Sequence, residues 1–346
     1  MLLFHNDYNE ACHPSILDKM QSTASCQMPG YGEDSVCAEA AELIRKECGD
    51  QDVAVHFLVG GTQTNLTVIA ASLRPHQAVI GAVSAHINVH ETGAIEATGH
   101  KVIQLPSKDG KITVDQVREN VLNQSLAMDA EHIAQPKMVY ISNPTEFGTT
   151  YKLAELEALS AYCKENRLFL FVDGARLGYG LMASDNDISL ADYARLCDVF
   201  YIGGTKVGAM FGEAVVISNP AIKEDFRYLM KQRGGMLAKG WLLGLQFKTL
   251  FEDGLYYKIS KHADELADKI RKTLADCGYD LFVEGTTNQT FVTLPNRLLS
   301  YLDGKFTYAL WEKQDPDHTT VRFCTSWATK EENVDALCNA IKEFSC

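Results

Sequence analysis

In FYIGGTKVGAM, Phe200 to Met210, a single lysine, Lys206, stands among glycines and apolar side chains just after a strand-like run. An amine held away from water has a lowered pKa, and its neutral form is nucleophilic. The run LFLFVD ends on Asp173, and a carboxylate at the end of a buried strand needs a cation or hydrogen-bond donors to offset its burial. Beyond AVIGAV (78–83) comes His86, within HINVHE, an imidazole able to lie against a flat ring or to carry a proton. Beyond VAVHFLV (53–59) come Gly60, Gly61 and Thr62, opening a helical segment. Backbone N–H groups and the helix dipole favour an anion there. The Gly-Gly-Thr turn alone is a weak signal: it is neither G-x-G-x-x-G nor a Walker loop, and a plain turn reads the same.

Histidines 86 and 90 lie four apart, as two ligands on one helix face would. The metalloprotease pattern needs a glutamate directly after the first histidine, and Ile87 stands there, so no metal is expected. Taken together, the four groups are a phosphate cradle, an aromatic base, a buried carboxylate and an amine. That is the set a pyridoxal phosphate enzyme needs. The amine forms a Schiff base, the carboxylate keeps a pyridine nitrogen protonated, the imidazole covers the ring and the glycine-rich helix start holds the phosphate.

The elements that must position these groups are legible as alternation. Seven apolar runs, at 53–59, 78–83, 101–105, 138–142, 168–173, 199–204 and 214–218, are separated by amphipathic stretches such as LAELEALSAYCKEN. Most runs are apolar on both faces, as in a parallel or mixed sheet covered by helices on both sides. The spacing predicts an α/β doubly wound domain over residues 1–245. In such sheets ligands bind beyond the carboxyl ends of the strands, where the four groups fall. After residue 245 a long polar helix, antiparallel strands and a last helix, EENVDALCNAIKEF, read as a smaller α+β domain over 246–346.

At 346 residues the chain has room for both units. Its 32 basic and 45 acidic side chains give 32 − 45 = −13, which argues against nucleic acid or an anionic membrane as partner. No apolar stretch is long enough to span a bilayer, and the start, MLLFHNDYNEACHP, lacks the basic and apolar regions of a signal peptide. The ten cysteines are scattered, with no C-x-x-C, which fits a reduced cytoplasmic compartment.

VDGARLGYG followed by YIGGTKVGA resembles the fold-type I pyridoxal phosphate enzymes, and within them the threonine aldolase/β-eliminating lyase family. PGYGEDSVCAEAAELI, GGTQTNL, AHINVHETGAIEATGHKV and VRFCTSWAT match further family segments in the right order, over nearly the whole chain. The resemblance implies a transferase-like fold: a large domain with a mostly parallel seven-stranded sheet and a small α+β C-terminal domain. It implies that Lys206 carries the cofactor, Asp173 pairs with its ring nitrogen, His86 stacks on the ring, and Gly61 and Thr62 hold the phosphate. Arg176 and Arg322 would bind the substrate carboxylate, for which the guanidinium fork is suited. Tyr31 would reach a neighbouring subunit's site in a homotetramer built as a dimer of dimers.

Three positions depart from the family pattern. Asn6 stands where many members have a substrate-binding serine. Glu146, in SNPTEFGTTY, lies where a second histidine is expected. Leu237 replaces an arginine that reaches a neighbour's phosphate, with Lys239 nearby. The activity implied is retro-aldol cleavage of a β-hydroxy-α-amino acid, such as L-threonine or L-allo-threonine, to glycine and an aldehyde. His86, Glu146 or a water would take the hydroxyl proton. The missing histidine keeps β-elimination or transamination of another amino acid as the alternative. A non-catalytic binding protein is the rival from another class.

Overall fold

The computed structural model describes residues 1–345. Its twelve strands are β1 (Leu2–Leu3), β2 (Ala54–Leu58), β3 (Gln77–Ala82), β4 (Lys101–Leu105), β5 (Gln135–Ser142), β6 (Phe169–Asp173), β7 (Val199–Gly203), β8 (Glu213–Ile217), β9 (Gln289–Pro295), β10 (Phe306–Thr307), β11 (Ala309–Lys313) and β12 (His318–Cys324). The seven apolar runs become β2 to β8, one sheet in the order β2-β8-β7-β6-β5-β3-β4. All neighbours run parallel except β8, which is antiparallel to both β2 and β7. Strands β3, β7 and β8 bury every residue, as expected where helices cover both faces.

This one reversal matters for the site. The carboxyl ends of β2, β3, β5, β6 and β7 share an edge, and β8 brings its amino end to that edge. Glu213, the first residue of β8, pairs with Leu58 at the end of β2 and with Gly203 at the end of β7. Two glycines let the turns after β6 and β7 pass each other. A Cβ on Gly174 would run into the Tyr201 carbonyl, and one on Gly203 into the Ala175 backbone. Residues 204–212 then close a tight loop, with the N–H groups of Gly204 and Thr205 both donating to the Gly212 carbonyl (3.0 and 3.1 Å). Gly208 and Gly212 take positive φ (85° and 125°), which side chains rarely adopt. Lys206 rides on that loop.

The C-terminal unit is a three-stranded antiparallel sheet, β11-β12-β9, packed by the helices Leu255–Asp276, Asn296–Leu302 and Glu331–Ser345. Strand β11 was not legible in the sequence: ALWEK is short, alternating and half exposed. A second apolar cluster, separate from that of the large sheet, fills this unit and includes Leu274, Val292, Leu298 and Ile341. The chain start joins it. Strand β1 pairs parallel with β10, and Phe4 is buried in the same cluster. Residues 241–251 form a helix whose buried side chains, Leu243 to Phe251, belong instead to the large cluster. No helix among the described residues is long and apolar enough to cross a membrane.

One buried group on the Leu255–Asp276 helix has no compensation. Asp264 is 3% exposed, and neither carboxylate oxygen has a hydrogen-bond partner. Burial raises its pKa well above the ordinary carboxylate value, against a smaller lowering by Arg271. The folded chain therefore keeps a proton that the unfolded chain releases above about pH 4. Stability is lost as pH rises from there toward the folded pKa. Asp264→Asn is expected to raise the thermal midpoint at neutral pH, and the gain should vanish near pH 4, roughly the unfolded value. Thermal unfolding of both proteins across that range checks the sign.

Candidate active site

A cavity of about 370 Å³ opens at the shared strand edge. Lys206, Asp173, His86 and Arg176 line it, as do Gly61, Thr62 and Glu146. Seven of the ten residues that the sequence singles out thus converge on one space.

Asp173 is held by donors from four places. Its Oδ1 accepts from the Tyr201 hydroxyl (2.5 Å) and the Ala175 N–H (2.9 Å), and its Oδ2 from the Tyr140 hydroxyl (2.5 Å) and the Asn65 amide (3.0 Å). Burial alone would raise its pKa. The His86 charge and these donors outweigh burial and hold the carboxyl below its ordinary value, so it stays ionised. The same Asn65 nitrogen donates to Glu91 Oε1 (2.7 Å), which also meets His86 Nδ1 at 2.8 Å. A continuous polar chain, His86–Glu91–Asn65–Asp173, therefore runs under the cavity floor. With Nδ1 engaged by a buried carboxylate, Nε2 is the free ring nitrogen of His86.

Lys206 has no hydrogen-bond or ion-pair partner among the described residues. Burial, and then the Arg176 charge, lower its pKa from the ordinary lysine value. Its backbone is pinned instead: the Tyr179 hydroxyl donates to the Lys206 carbonyl (2.6 Å), and the Tyr256 hydroxyl to the Gly203 carbonyl (2.9 Å). The helix Gly61–Ser72 starts at the cavity with an extended Gly60 and no side-chain cap. Thr64 is the first residue whose N–H finds a helical acceptor (Gly60, 3.0 Å), leaving those of Gly61, Thr62 and Gln63 free for a ligand.

Arg176 reaches the cavity already paired. Its Nε and one Nη grip both oxygens of the buried Asp7 at 2.7 and 2.9 Å. Burial would raise the Asp7 pKa, but the Arg176 charge and hydrogen bonds bring it down to about 2. One guanidinium nitrogen remains for a ligand. Glu146 Oε1 accepts from the His86 N–H (2.9 Å) and the Ser142 hydroxyl (2.7 Å), so it fixes the turn carrying the histidine. Burial raises its pKa.

Three expected residues lie outside this space. Asn6 closes a local turn by accepting from the Tyr8 N–H (3.1 Å), and Tyr8 lines the cavity in its place. Arg322 bonds Gln289 Oε1 (3.1 Å) and the His5 carbonyl (3.0 Å), and its buried Nε has no partner. Tyr31 lies in a separate cleft of about 250 Å³ with Arg227 and Leu237. Conversely, Asn65, Glu91, Tyr140, Tyr201, Glu213 and Asp7 escaped the sequence reading. Tyr140 and Tyr201 read as apolar strand residues, and Glu213 precedes its apolar run rather than following it.

The donor set fits pyridoxal phosphate. An unpartnered amine, an ionised buried carboxylate, an oriented imidazole and three free helix-start N–H groups meet in one cavity of suitable size.

Comparison with known proteins agrees. The family model described as β-eliminating lyase matches residues 11–296. The low specificity L-threonine aldolase of a Pseudomonas species is 30% identical over 97% of this chain and 96% of its own length. That of Pseudomonas aeruginosa is 29% identical over 90% and 89%. The structure of Leishmania major threonine aldolase superposes with a TM-score of 0.97 at 45% identity, covering both chains completely. An aspartate aminotransferase from Thermus thermophilus shares the fold alone, at a TM-score of 0.73 and 16% identity over 91% of its chain. By the family match, the relatives and the site chemistry, this chain belongs to the β-eliminating lyase family and has the fold of the fold-type I pyridoxal phosphate enzymes.

Proposed function

We propose that the chain is a pyridoxal phosphate-dependent aldolase that cleaves a β-hydroxy-α-amino acid, L-threonine or L-allo-threonine, to glycine and an aldehyde. The observation that carries this reading is the meeting of an unpartnered Lys206 amine with an ionised Asp173 in one cavity. The names of the two Pseudomonas relatives and of the Leishmania major structure, all threonine aldolases, support the choice of bond. When bound, the cofactor supplies an electron sink into which the Cα–Cβ bonding pair can be drawn.

The chain's own residues do the rest. Lys206 anchors the cofactor covalently. Asp173, kept ionised by its four donors, would pair with the cofactor's ring nitrogen and favour its protonated form. Gly61 and Thr62, at the free helix start, hold the phosphate. Arg176 would bind the substrate carboxylate through its remaining nitrogen and so fix the orientation of the substrate's Cα. Arg322 lies on β12, the central strand of the C-terminal sheet, and its unpartnered Nε makes it the second carboxylate donor once a substrate displaces Gln289 or the His5 carbonyl. Asn6 serves by shaping the turn that brings Tyr8 to the cavity.

His86 takes the proton from the β-hydroxyl through Nε2. Glu91, bonded to Nδ1, fixes the ring's orientation, in the manner of a base with an orienting carboxylate. Glu146, engaged by the His86 N–H and Ser142, holds the base in place. We further propose a cytoplasmic homotetramer, a dimer of dimers in which the exposed Tyr31 faces a neighbour's cavity. The nine described cysteines, all unpaired, support the compartment.

Purified protein incubated with pyridoxal phosphate should turn yellow, and borohydride should bleach it and leave the cofactor on Lys206 by peptide mass. Lys206→Ala should release no glycine from L-threonine above background; a keto acid product without glycine from the wild type would sink the aldolase reading. Replacement of the base by His86→Asn should lower kcat by about 10²–10⁴-fold with cofactor still bound, the usual range for general-base loss. Glu91→Gln should cost roughly 10–100-fold, as loss of an orienting carboxylate does. Steady-state glycine formation measures both, and an unaffected kcat in either variant would remove His86 from the role of base.

A further inference from the structure

Asn65 takes no part in the proposed reaction, yet it bonds to the two carboxyl groups that serve it. It stands one turn into the helix Gly61–Ser72 and is fully buried. Its Nδ2 donates to Glu91 Oε1 (2.7 Å) and to Asp173 Oδ2 (3.0 Å), so both N–H bonds of one nitrogen end on carboxyl oxygens. Its Oδ1 has no hydrogen-bond partner. A buried amide that leaves its oxygen bare while both donors are used is there for the donors. Turned over, it would set that oxygen against two carboxyl oxygens, so the neighbours dictate its orientation.

The two acceptors depend on Asn65 unequally. Asp173 keeps three other donors, the Tyr140 and Tyr201 hydroxyls and the Ala175 N–H. The Glu91 side chain has only two partners, Asn65 and the His86 ring, and both meet the same oxygen, Oε1. Its Oε2 is buried without a partner. Without Asn65 the Glu91 carboxyl would be tied by His86 alone, and the imidazole would lose the fixed point against which it is oriented. Asp173 would stay in place with one donor fewer. Among the described residues no other side chain bonds to both carboxyl groups.

We propose that Asn65 is a positioning residue for both halves of the reaction: through Glu91 it fixes the ring of His86, and through Asp173 it fixes the carboxylate that the cofactor's ring nitrogen would meet. The helix that carries it also presents Gly61 and Thr62 to the cavity. Four residues of helix, a rise of about 6 Å, separate Gly61 from Asn65. Phosphate site, ring-nitrogen carboxylate and base are thus set from one rigid element. The inference rests on the function proposed above, from which it takes the roles of Asp173 and His86.

The test is Asn65→Leu, which keeps the size of the side chain and removes both donors. Binding of pyridoxal phosphate to the cofactor-free protein, followed by absorbance, reads the Asp173 side of the link. N65L should bind about tenfold more weakly, the low end for a hydrogen bond to a charged group, since three donors remain. A double-mutant cycle with Glu91→Gln, scored by kcat for glycine release at saturating cofactor, reads the Glu91 side. The loss in N65L/E91Q should be about tenfold smaller than the product of the two single losses, as for residues in one hydrogen-bonded chain. N65A removes the same donors and stands in if N65L does not fold. Unchanged cofactor affinity in N65L, or single losses that multiply in the double variant, would overturn the inference and leave the cofactor reading intact. A wild type that takes up no pyridoxal phosphate would overturn the cofactor reading, and this inference with it. One that takes up the cofactor but releases no glycine would overturn the aldolase reading, and with it the role of Asn65 toward the base.

Discussion

The site depends on keeping one carboxylate charged although it is only 4% exposed. Asp173 sits at the end of β6 with a backbone donor from its own turn and side-chain donors from β5, from β7 and from the helix that follows β2. An ionised carboxylate left bare in such a place would cost several kcal/mol, far more than any single packing contact returns. The donors therefore act as constraints on the whole sheet. Ser142 must lie opposite Asp173 in the β5–β6 register for the Tyr140 hydroxyl to arrive. A slip of one residue there would turn Tyr140 away and remove one of the four donors.

That constraint propagates through Asn65. Its amide touches Asp173 and Glu91 at once, so the carboxylate at the cavity and the carboxylate bonded to His86 cannot move independently. The cavity is thus a balance of charges rather than a set of separate functional groups. Lys206 and Arg176 supply positive charge, Asp173 and Asp7 negative. Glu146 and Glu213, both raised by burial, are the members whose charge can adjust. In a low-dielectric space this balance, more than the identity of any one residue, sets how basic the lysine is.

Much of this was legible in the sequence, for a physical reason. Strands buried on both faces must be apolar throughout, so β2 to β8 stand out as runs, and a charged residue at the end of such a run is conspicuous. Lys206, Asp173 and His86 were found that way. Glu213 is not conspicuous, because it precedes its run, and strand direction is a tertiary property that LFLFVD or AVVIS does not encode. Asn65 and Glu91 were hidden as ordinary polar residues within helical or turn segments; only their burial distinguishes them. Tyr140 and Tyr201 count as apolar in any periodicity, although their hydroxyls do the polar work. Arg322 was identified by family pattern, and the sequence holds nothing to say that its fork is already engaged by Gln289 and the His5 backbone.

The opening nine residues tie two parts of the molecule together. Strand β1 and Phe4 belong to the C-terminal unit, while Asp7, three residues later, is locked to Arg176 at the cavity and to Asn288 at the edge of the C-terminal sheet. Three residues of extended chain span only about 10 Å and have little slack. The small unit and Arg176 are therefore mechanically linked: any rotation of that unit pulls on Asp7, and through it on the angle at which Arg176 presents its free nitrogen to the cavity. The pose of Arg176 and the position of the small unit are two readings of one coordinate, set by a tether of three residues.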